Sequence, residues 1–461
     1  MTIHIYNSLT KKKEELSPLD GKTVKMYSCG VTVYDKCHIG HARSLYIFDV
    51  IRRYLKHRGH RVLFVRNITD VDDKIINKAK ELNKSFDEVV RENIDAYERD
   101  LEHLGVDKAD VEPRATQYIP KIIAFVEELI KKDFAYEVDG DVYYSVRKFE
   151  SYGKLSGQSI DQMVEATRIG QDPKKRDPLD FALWKKAKEG EKSWPSPWGE
   201  GRPGWHIECS CMSMNELKSD TIDIHAGGRD LIFPHHENEI AQSEALTGKP
   251  FAKHWIHHGL LTINGQKMAK SLGNFITLDE ILEKYSRDVL KLFFLQSHYA
   301  SSVDFSWEKM EEVEKGYERI SILMAKLNER NPASGGQGSD GNLTRQEEFQ
   351  SAMDDDFNTP KALSVIYDVV NECNKLIDSG AEGKELMLRE TMDFIKTAAD
   401  IFGVNFLKES KISDDEKKLL EERSKARKSK DFQRSDELRD LLKEKGIVVE
   451  DTKEGQVWRR A

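Results

Sequence analysis

Residues 23–55 read TVKMYSCGVTVYDKCHIGHARSLYIFDVIRRYL, and this stretch decides the fold. Its first six residues, Thr23–Ser28, form a short apolar-rich run that predicts a β-strand. A glycine-containing turn follows and ends at His38-Ile39-Gly40-His41. Beyond it, apolar side chains recur at the three- and four-residue spacing of a helix, at Leu45, Phe48, Ile51 and Leu55. A strand, a turn and a helix N-terminus in this order predict a phosphate site at free backbone N–H groups.

A second strand, predicted at Arg61–Val65, follows this helix past Gly59 and completes a βαβ unit of a parallel sheet. Residues 116–198 read as an insertion, in which Asp139-Gly140 marks a hairpin. Strand patterns resume at 222–224 and 255–258. The predicted fold class is α/β: a Rossmann-like parallel-sheet catalytic domain with an insertion, then a helical bundle and a small mixed α/β C-terminal domain.

Helical periodicity takes over after Leu278. The Ser- and Gly-rich stretch Asn331–Asn342 predicts a flexible linker, and Asn358-Thr359-Pro360 predicts a helix start. Near the end of the chain, the pattern predicts a helix over Ser435–Lys445 that Gly446 closes. A hairpin is predicted after it, with 447–451 pairing with 456–459.

Composition favours a large enzyme without a membrane segment. The 461 residues suggest several domains, and no run approaches the ~20 apolar residues that a membrane span needs. Residues 1–19 lack the apolar core of a secretory signal, so we expect a cytoplasmic protein. Five cysteines, an odd number, favour thiols or metal ligands over disulfides. The net charge of −9 gives no sign of a nucleic-acid partner, and an acidic metabolic enzyme stays open.

Four residues make a candidate zinc set. Cys29 ends the first strand, Cys209 lies in a helical pattern, and His235 and Glu239 are four apart on a helix predicted to begin at Pro234. Two thiolates, one imidazole and one carboxylate suit zinc. His236 is a rival ligand, because it lies three residues from Glu239. The other cysteines are expected to be structural: Cys37, Cys211 and Cys373.

The segment Lys267-Met268-Ala269-Lys270-Ser271, flanked by Gly265 and Gly273, carries two lysines. A lysine-bearing loop is normally solvated surface. Together with His38-Ile39-Gly40-His41, however, it resembles the paired HIGH and KMSKS signatures of class I aminoacyl-tRNA synthetases.

Longer blocks narrow the resemblance to the cysteinyl-tRNA synthetase family. The similar blocks are Tyr27–Asp35, Arg66–Lys74, Gly201–Cys209 and Phe233–Glu239. Membership of that family implies ATP-dependent activation of L-cysteine to cysteinyl-adenylate and its transfer to the 3′ end of tRNA(Cys), with Mg²⁺ accompanying ATP. It implies one zinc ion that selects the substrate thiol, held by Cys29, Cys209, His235 and Glu239, and it argues against His236.

The resemblance also implies roles around the reacting phosphate, where developing negative charge needs positioned donors. The implied catalytic residues are His38, His41, Lys267 and Lys270, and the implied ATP contacts are Gly40, His41 and Lys270. Residues implied to meet the amino acid are Gly30, Thr69 and Trp205, although Trp205 can also be read as core packing.

The resemblance implies that the C-terminal end of the chain binds the anticodon of the tRNA. The basic run Lys425–Lys430 is by itself more typical of a solvated face. The implied tRNA contacts are Arg427, Asp436, Asp451 and Trp458, since Arg and Asp can bond base edges and Trp can stack on an unpaired base. Trp458 can equally pack the hairpin against its helix.

The resemblance also implies four domains: 1–265 (catalytic), 266–310 (second signature and stem contact), 311–404 (helical bundle) and 405–461 (anticodon-binding). The expected state is a monomer.

Two departures from the family pattern stand out. Ala269 replaces the usual serine of the second signature, and Ala300 and Ser302 stand where Arg and Pro are common.

Three alternative functions stay open. A zinc hydrolase does not explain Lys267–Ser271, a cysteine:sugar-amine ligase does not explain the basic C-terminal end, and a non-catalytic RNA-binding relative does not explain intact ATP signatures.

Overall fold

The computed structural model describes residues 2–166, 172–268, 272–330, 340–379, 384–407, 414–445, 447–452 and 455–460. The chain divides into two compact units, one up to Phe406 and one from Leu407 onward. The bounds of the four predicted domains stay predictions. No helix in the described part of the chain is both long and apolar enough to cross a membrane.

The described strands form five sheets. Their bounds are β1 (His4–Asn7), β2 (Lys12–Glu15), β3 (Thr23–Ser28), β4 (Arg61–Arg66), β5 (Ala135–Val138), β6 (Asp141–Tyr144), β7 (Phe181–Lys186), β8 (Gly201–Pro203), β9 (Ile222–Gly228), β10 (Ala252–His258), β11 (Leu261–Ile263), β12 (Gln266–Lys267), β13 (Val303–Phe305), β14 (Ile447–Thr452) and β15 (Gly455–Arg460).

Fifteen α-helices are described. Their bounds are α1 (Ile39–His57), α2 (Asp73–Leu82), α3 (Phe86–Leu104), α4 (Ile119–Lys131), α5 (Ile160–Ala166), α6 (Trp205–Leu217), α7 (Glu237–Thr247), α8 (Leu278–Leu282), α9 (Arg287–Leu295), α10 (Trp307–Arg330), α11 (Asp340–Asp354), α12 (Thr359–Asp378), α13 (Glu385–Phe402), α14 (Asp414–Lys428) and α15 (Phe432–Glu444).

The central sheet has the order β10–β9–β3–β4, and all its pairs are parallel. Helix α1 connects β3 to β4, so the predicted βαβ unit is confirmed. Strand β9 is buried along its whole length, as expected of a parallel strand covered on both faces. The predicted α/β class is therefore confirmed.

The insertion between β4 and β9 contains an antiparallel sheet of order β5–β6–β7–β8. Its first hairpin turns at Asp139 and Gly140, whose φ angles are 53° and 86°. Two successive positive φ angles suit the tight turn that Asp-Gly predicts.

Helices α10–α13 pack on one another and form the predicted helical bundle. Helix α12 begins at Thr359, where the Asn358 side chain accepts a hydrogen bond from the Lys361 N–H, as an N-cap does. The linker prediction was wrong at its end, because α11 already begins at Asp340. Residues 331–339 of that linker lie outside the described residues.

The second unit combines α14 and α15 with the antiparallel pair β14–β15. The predicted hairpin is confirmed, with Val449 opposite Trp458. The predicted final helix begins earlier than expected, at Phe432, because Asp431 accepts a hydrogen bond from the Arg434 N–H and caps it. Gly446, predicted to close this helix, lies outside the described residues.

Candidate functional site

A cleft of about 500 Å³ opens where the parallel strands end. Its lining includes the residues that follow β3, the start of α1, and the ends of β9 and β10. Open α/β sheets place ligands at this edge. Cys29 lines the same cleft as His38, His41 and Lys267, so one candidate metal ligand and residues of both signature motifs share it.

The four predicted metal ligands lie together. One potential ligand atom from each of Cys29, Cys209, His235 and Glu239 lies within 4.8 Å of the others. His235 Nε2 is 3.0 Å from Glu239 Oε1, and the Cys29 Sγ is 3.4 Å from the same oxygen. Two sulfurs, one imidazole and one carboxylate are donors that zinc accepts.

A second set overlaps the first and shares Cys29 and Glu239 with it. This set adds His225 and His236 in place of Cys209 and His235. The His236 Nε2 atom lies 3.4 Å from the Cys29 Sγ but 4.0 Å from Glu239 Oε1. The geometry alone therefore leaves His236 as a rival, while donor chemistry favours the set with two thiols for a thiophilic metal.

Three further histidines hold this site, and sequence reasoning missed them. The ring nitrogens of His206 and His235 are 2.8 Å apart, those of His236 and His257 are 2.8 Å apart, and His225 Nε2 lies 2.8 Å from Glu239 Oε2. Such neighbours fix the orientation of metal-ligating side chains. One signal was available, since His257 lies in a predicted strand and His225 directly follows another, both in the parallel sheet whose ends hold ligands.

Charges are distributed unevenly over the four candidate ligands. A hydrogen bond with Cys29 lowers the pKa of Cys209 to about 6, while burial raises the pKa of Cys29. Burial opposes ionisation of His235, yet Glu239 and Cys209 raise its pKa to about 10. Burial likewise opposes the charge on Glu239, but His225 and His235 hold its pKa well below the ordinary range. The protein alone thus favours a thiolate at Cys209 and a carboxylate at Glu239.

The helix predicted to begin at Pro234 is α-helical from Glu237 onward, and the preceding residues Ile232–His236 form a π-helical turn. Phe233 has extended backbone angles (φ −137°, ψ 131°), as residues before proline prefer, so the helical backbone that leads into α7 starts after it, at Pro234. His235 consequently lies in the turn Ile232–His236 that precedes α7. The contact with Glu239 survives this change.

Two of the residues predicted to meet the amino acid, Gly30 and Thr69, are hydrogen-bonded to Asn67. Its Oδ1 accepts a hydrogen bond from the Gly30 N–H at 2.8 Å, and its Nδ2 donates to Thr69 Oγ1 at 3.1 Å. A side chain at Gly30 would collide with the Asn67 carbonyl oxygen, 1.7 Å from its Cβ position. Trp205 lines the cleft, is 38% exposed, and stacks on the His235 ring at 4.2 Å.

The prediction of a phosphate site at the start of α1 was wrong in one respect, because the backbone N–H groups at this helix end are not free. The His38 Nδ1 atom accepts hydrogen bonds from the N–H groups of Gly40 and His41, at 3.1 and 3.3 Å. The Ile39 N–H donates to the Ile276 carbonyl at 3.2 Å. Phosphate donors at this end must therefore be side chains.

The His38 cap also defines what the two signature histidines can do. Since Nδ1 accepts, the proton of neutral His38 is on Nε2, where it can be donated to a ligand. The His41 ring stacks on His38 at 3.7 Å, and burial, with smaller effects of His38 and Lys74, lowers the pKa of His41 to about 3. His41 is thus a neutral donor at physiological pH. Gly40 permits the arrangement, because a Cβ there would lie 3.0 Å from the His38 ring.

The second signature is described only in part. Lys267 ends the hairpin β11–β12 opposite Thr262, and its carbonyl accepts a hydrogen bond from Asn274 Nδ2 at 3.1 Å. Lys267 and Met268 line the cleft. Lys270 and Ala269 lie outside the described residues.

The predicted tRNA contacts lie in the second unit. Asp451 accepts hydrogen bonds from both ends of the Arg423 guanidinium, at 3.0 and 2.9 Å, and pairs with Arg427 Nε at 3.0 Å. Trp458 is partly buried and packs against the small core of Leu420, Leu442, Ile447 and Val449. Asp436 is exposed on α15. Sequence reasoning missed Arg423, whose fully buried side chain orients Asp451.

Comparison with known families covers most of the chain. Residues 15–315 match the tRNA synthetases class I (C) catalytic domain, residues 348–407 the DALR domain, and residues 409–459 the cysteinyl-tRNA ligase anticodon binding domain. Among curated proteins, the chain is 50% identical to cysteine–tRNA ligase of Persephonella marina over the full length of both. It is 49% identical to cysteine–tRNA ligase of Aquifex aeolicus, covering 100% of this chain and 99% of that protein.

Solved structures share the fold at low sequence identity. Methionyl-tRNA synthetase of Mycobacterium tuberculosis, in complex with methionyl-adenylate, has a TM-score of 0.60 and 15% identity, covering 82% of this chain and 89% of that one. A putative arginyl-tRNA synthetase from Campylobacter jejuni has a TM-score of 0.59 and 15% identity, covering 83% and 93%.

Proposed function

Because the chain belongs to the cysteine–tRNA ligase family, we propose that its cleft activates L-cysteine with ATP and transfers it to tRNA(Cys). The protein is an aminoacyl-tRNA synthetase: the cysteine carboxylate attacks the α-phosphorus of ATP, and the adenylate then passes its cysteinyl group to the tRNA 3′ end. One observation carries the proposal. A donor set suited to a thiophilic metal reaches, through Cys29, the cleft that residues of both signature motifs line.

The metal end would recognise the side chain of the substrate. We propose that Cys29, Cys209, His235 and Glu239 hold zinc, since their donor atoms converge and their chemistry fits. When bound, zinc prefers a substrate thiolate to an alcohol and so separates cysteine from serine, which a hydrophobic pocket does weakly. Glu239 is the ligand expected to yield to the substrate sulfur, while His225 keeps its other oxygen in place at 2.8 Å.

The middle of the cleft would position the reacting carboxylate. Gly30 and Thr69 are proposed to meet the amino or carboxylate end of cysteine, with Asn67 holding both segments. Trp205 is proposed to wall the pocket above His235. The close approach of the chain at Gly30 leaves no room for a side chain.

The signature end would bind ATP with its Mg²⁺. His38 Nε2 and the neutral His41 ring are proposed as N–H donors to the phosphates, and Lys267 as an orienting cation. Lys270 is proposed as the cation that strengthens its contact as charge develops on the phosphate. Gly40 is proposed to let the nucleotide approach α1.

The second unit would bind the anticodon. Arg427, Asp436 and Asp451 are proposed to contact base edges, in line with the family match of residues 409–459. Trp458 is proposed to contribute, although its packing on the hairpin core limits the ring area available for stacking. A monomer remains the expected state.

Cysteine-dependent exchange of pyrophosphate into ATP, followed by transfer to tRNA(Cys), tests the proposal. The expected result is exchange with cysteine, far less with serine, and charging of tRNA(Cys). Exchange without any charging would favour a cysteine:sugar-amine ligase. Hydrolysis of a substrate without exchange would favour a zinc hydrolase, and binding of tRNA without exchange would favour a non-catalytic relative.

A further inference from the structure

A single buried arginine joins the first signature helix to the segment that leads to the second signature and to the segment Tyr299–Ser301. We propose that Arg43 is a positioning residue for adenylate formation, holding the β11–β12 hairpin and the segment Tyr299–Ser301 in register with His38 and His41. The inference rests on the proposed function and names a residue that sequence reasoning did not single out.

Arg43 lies on α1, two residues after His41, and its side chain is 1% exposed. Its Nη1 donates to the carbonyls of Gly259 and Leu260, at 2.6 and 3.1 Å. Its Nη2 donates to the carbonyls of Tyr299 and Ser301, at 3.1 and 2.6 Å. One guanidinium thus satisfies four carbonyls on two segments that are distant in sequence.

The two segments are themselves bonded to each other above Arg43. The Gly259 N–H donates to the Tyr299 carbonyl, and the Val303 N–H donates to the Leu260 carbonyl, both at 2.9 Å. They lie so close that a Cβ at Gly259 would be 2.2 Å from the Ser301 carbonyl oxygen. We call these two segments, with the Arg43 side chain, the Arg43 joint.

The first segment of the joint leads directly to a proposed catalytic residue. Leu260 is followed by β11 and β12, and β12 ends at Lys267, which lines the cleft. Strand β11 also pairs in parallel with β13, which follows the second segment. A shift of the joint would therefore move Lys267 relative to the signature histidines.

The contacts of Arg43 require its particular geometry. A guanidinium is a rigid planar fork with five donors, whereas a lysine ammonium is a single point with three. Lysine can keep the charge, but three donors on one nitrogen cannot make all four hydrogen bonds that the two terminal nitrogens of Arg43 make. The Arg43 side chain contacts carbonyls and no carboxylate within the described ranges, and burial lowers its pKa to about 10, which leaves it protonated at neutral pH.

The test compares Arg43→Lys and Arg43→Met in the full chain with a control, Arg52→Met. Arg52 is also buried on α1, but it bonds the Lys108 carbonyl and Asp110 instead of the joint. Misplacement of catalytic groups by about 1 Å can cost about a hundredfold in rate. We therefore expect both Arg43 variants to lose about tenfold to a hundredfold in the exchange rate at saturating substrates, with the KM for cysteine unchanged.

Amide hydrogen exchange measures how well the hydrogen bonds of the Arg43 joint are protected, independently of enzymatic activity. In both Arg43 variants, the Gly259 and Val303 amides should exchange about tenfold faster or more, and in Arg52→Met they should not. If wild-type protein shows no pyrophosphate exchange, the proposed function fails, while this readout still decides whether Arg43 holds the joint.

Three results would overturn the proposal. Recovery of the rate in Arg43→Lys would show that charge matters and bridging does not. A parallel loss of rate and cysteine binding, matched by Arg52→Met, would show a merely structural role. Unchanged protection of both amides would show that the joint holds without Arg43. If Arg43→Met fails to fold, Gly259→Ala perturbs the same joint from the other side and should give the same split between rate and KM.

Discussion

The two ends of the cleft are built differently. At the metal end, His206, His225 and His257 each contact a candidate ligand, so buried neighbours hold the donor groups before any ligand arrives. At the signature end, the backbone N–H groups of α1 are already bonded, and the available donors are side chains on the cleft wall.

This difference predicts that substitutions at the two ends change different kinetic quantities. A rigid set of donors suits recognition of the substrate, because its geometry does not change during the reaction. Side chains around a phosphate suit stabilisation of charge that develops only in the transition state. Changes at the metal end should therefore act on cysteine binding, and changes at the signature end should act on turnover.

The largest effect is expected from Cys209→Ser. Loss of one of two sulfurs should remove the metal and lower cysteine-dependent exchange more than about a thousandfold, since removal of even a neighbour of a metal ligand costs ~10–100-fold. Metal content by atomic absorption and the KM values for cysteine and ATP are the measurements. Full zinc content with normal cysteine binding would remove Cys209 from the set.

Lys270→Ala should come next, with a loss of about 100–1000-fold in adenylate formation, by analogy with removal of a transition-state donor. Cysteine affinity should stay nearly constant, because this contact strengthens as the reaction proceeds. Pyrophosphate exchange and equilibrium binding of cysteine separate the two quantities. A matched loss in both would make Lys270 a structural residue.

A smaller effect should follow from His206→Phe, which keeps a ring in place but removes the contact with His235. Metal affinity should fall about 10–100-fold, as expected for an orienting neighbour. Competition with a chelator measures it. His254→Phe is the control, because His254 is a buried histidine that contacts the Asp223 carbonyl instead of a candidate ligand. Equal losses in the two variants would contradict a specific role for His206.

The smallest effect concerns stability against acid. Burial lowers the pKa of His41 to about 3 and that of His258 to about 4, both below the usual value near 6.5. Between its pKa in the folded protein and the usual value, each histidine binds more protons in the unfolded chain than in the folded one. The free energy of unfolding therefore rises with pH, by up to about 1.4 kcal/mol per pH unit and histidine, until about pH 6.5. Urea unfolding of wild type and His258→Asn at pH 4.5–7.5 measures this. An unchanged slope in the variant would contradict it.

Sequence patterns anticipated what depends on local spacing. The strand Thr23–Ser28, the helix after His38 and the Asp139-Gly140 turn formed as expected, since each depends on neighbours in the chain. The four candidate ligands also converge as the donor types suggested.

Hydrogen bonds that leave no mark on hydrophobic periodicity explain what the patterns missed. The free N–H groups expected at α1 are taken by the His38 ring and by Ile276, and neither contact has a signature in local periodicity. Likewise, Arg43 looks like any polar residue on a helix until the fold brings the Gly259 and Tyr299 carbonyls to it.

X-ray absorption of the zinc-loaded protein, before and after addition of cysteine, tests the central claim most directly. The account predicts two sulfur neighbours, from Cys29 and Cys209, in the free protein and three when cysteine binds, with no change when serine is added. An unchanged sulfur count with cysteine bound would show that the metal does not read the substrate thiol.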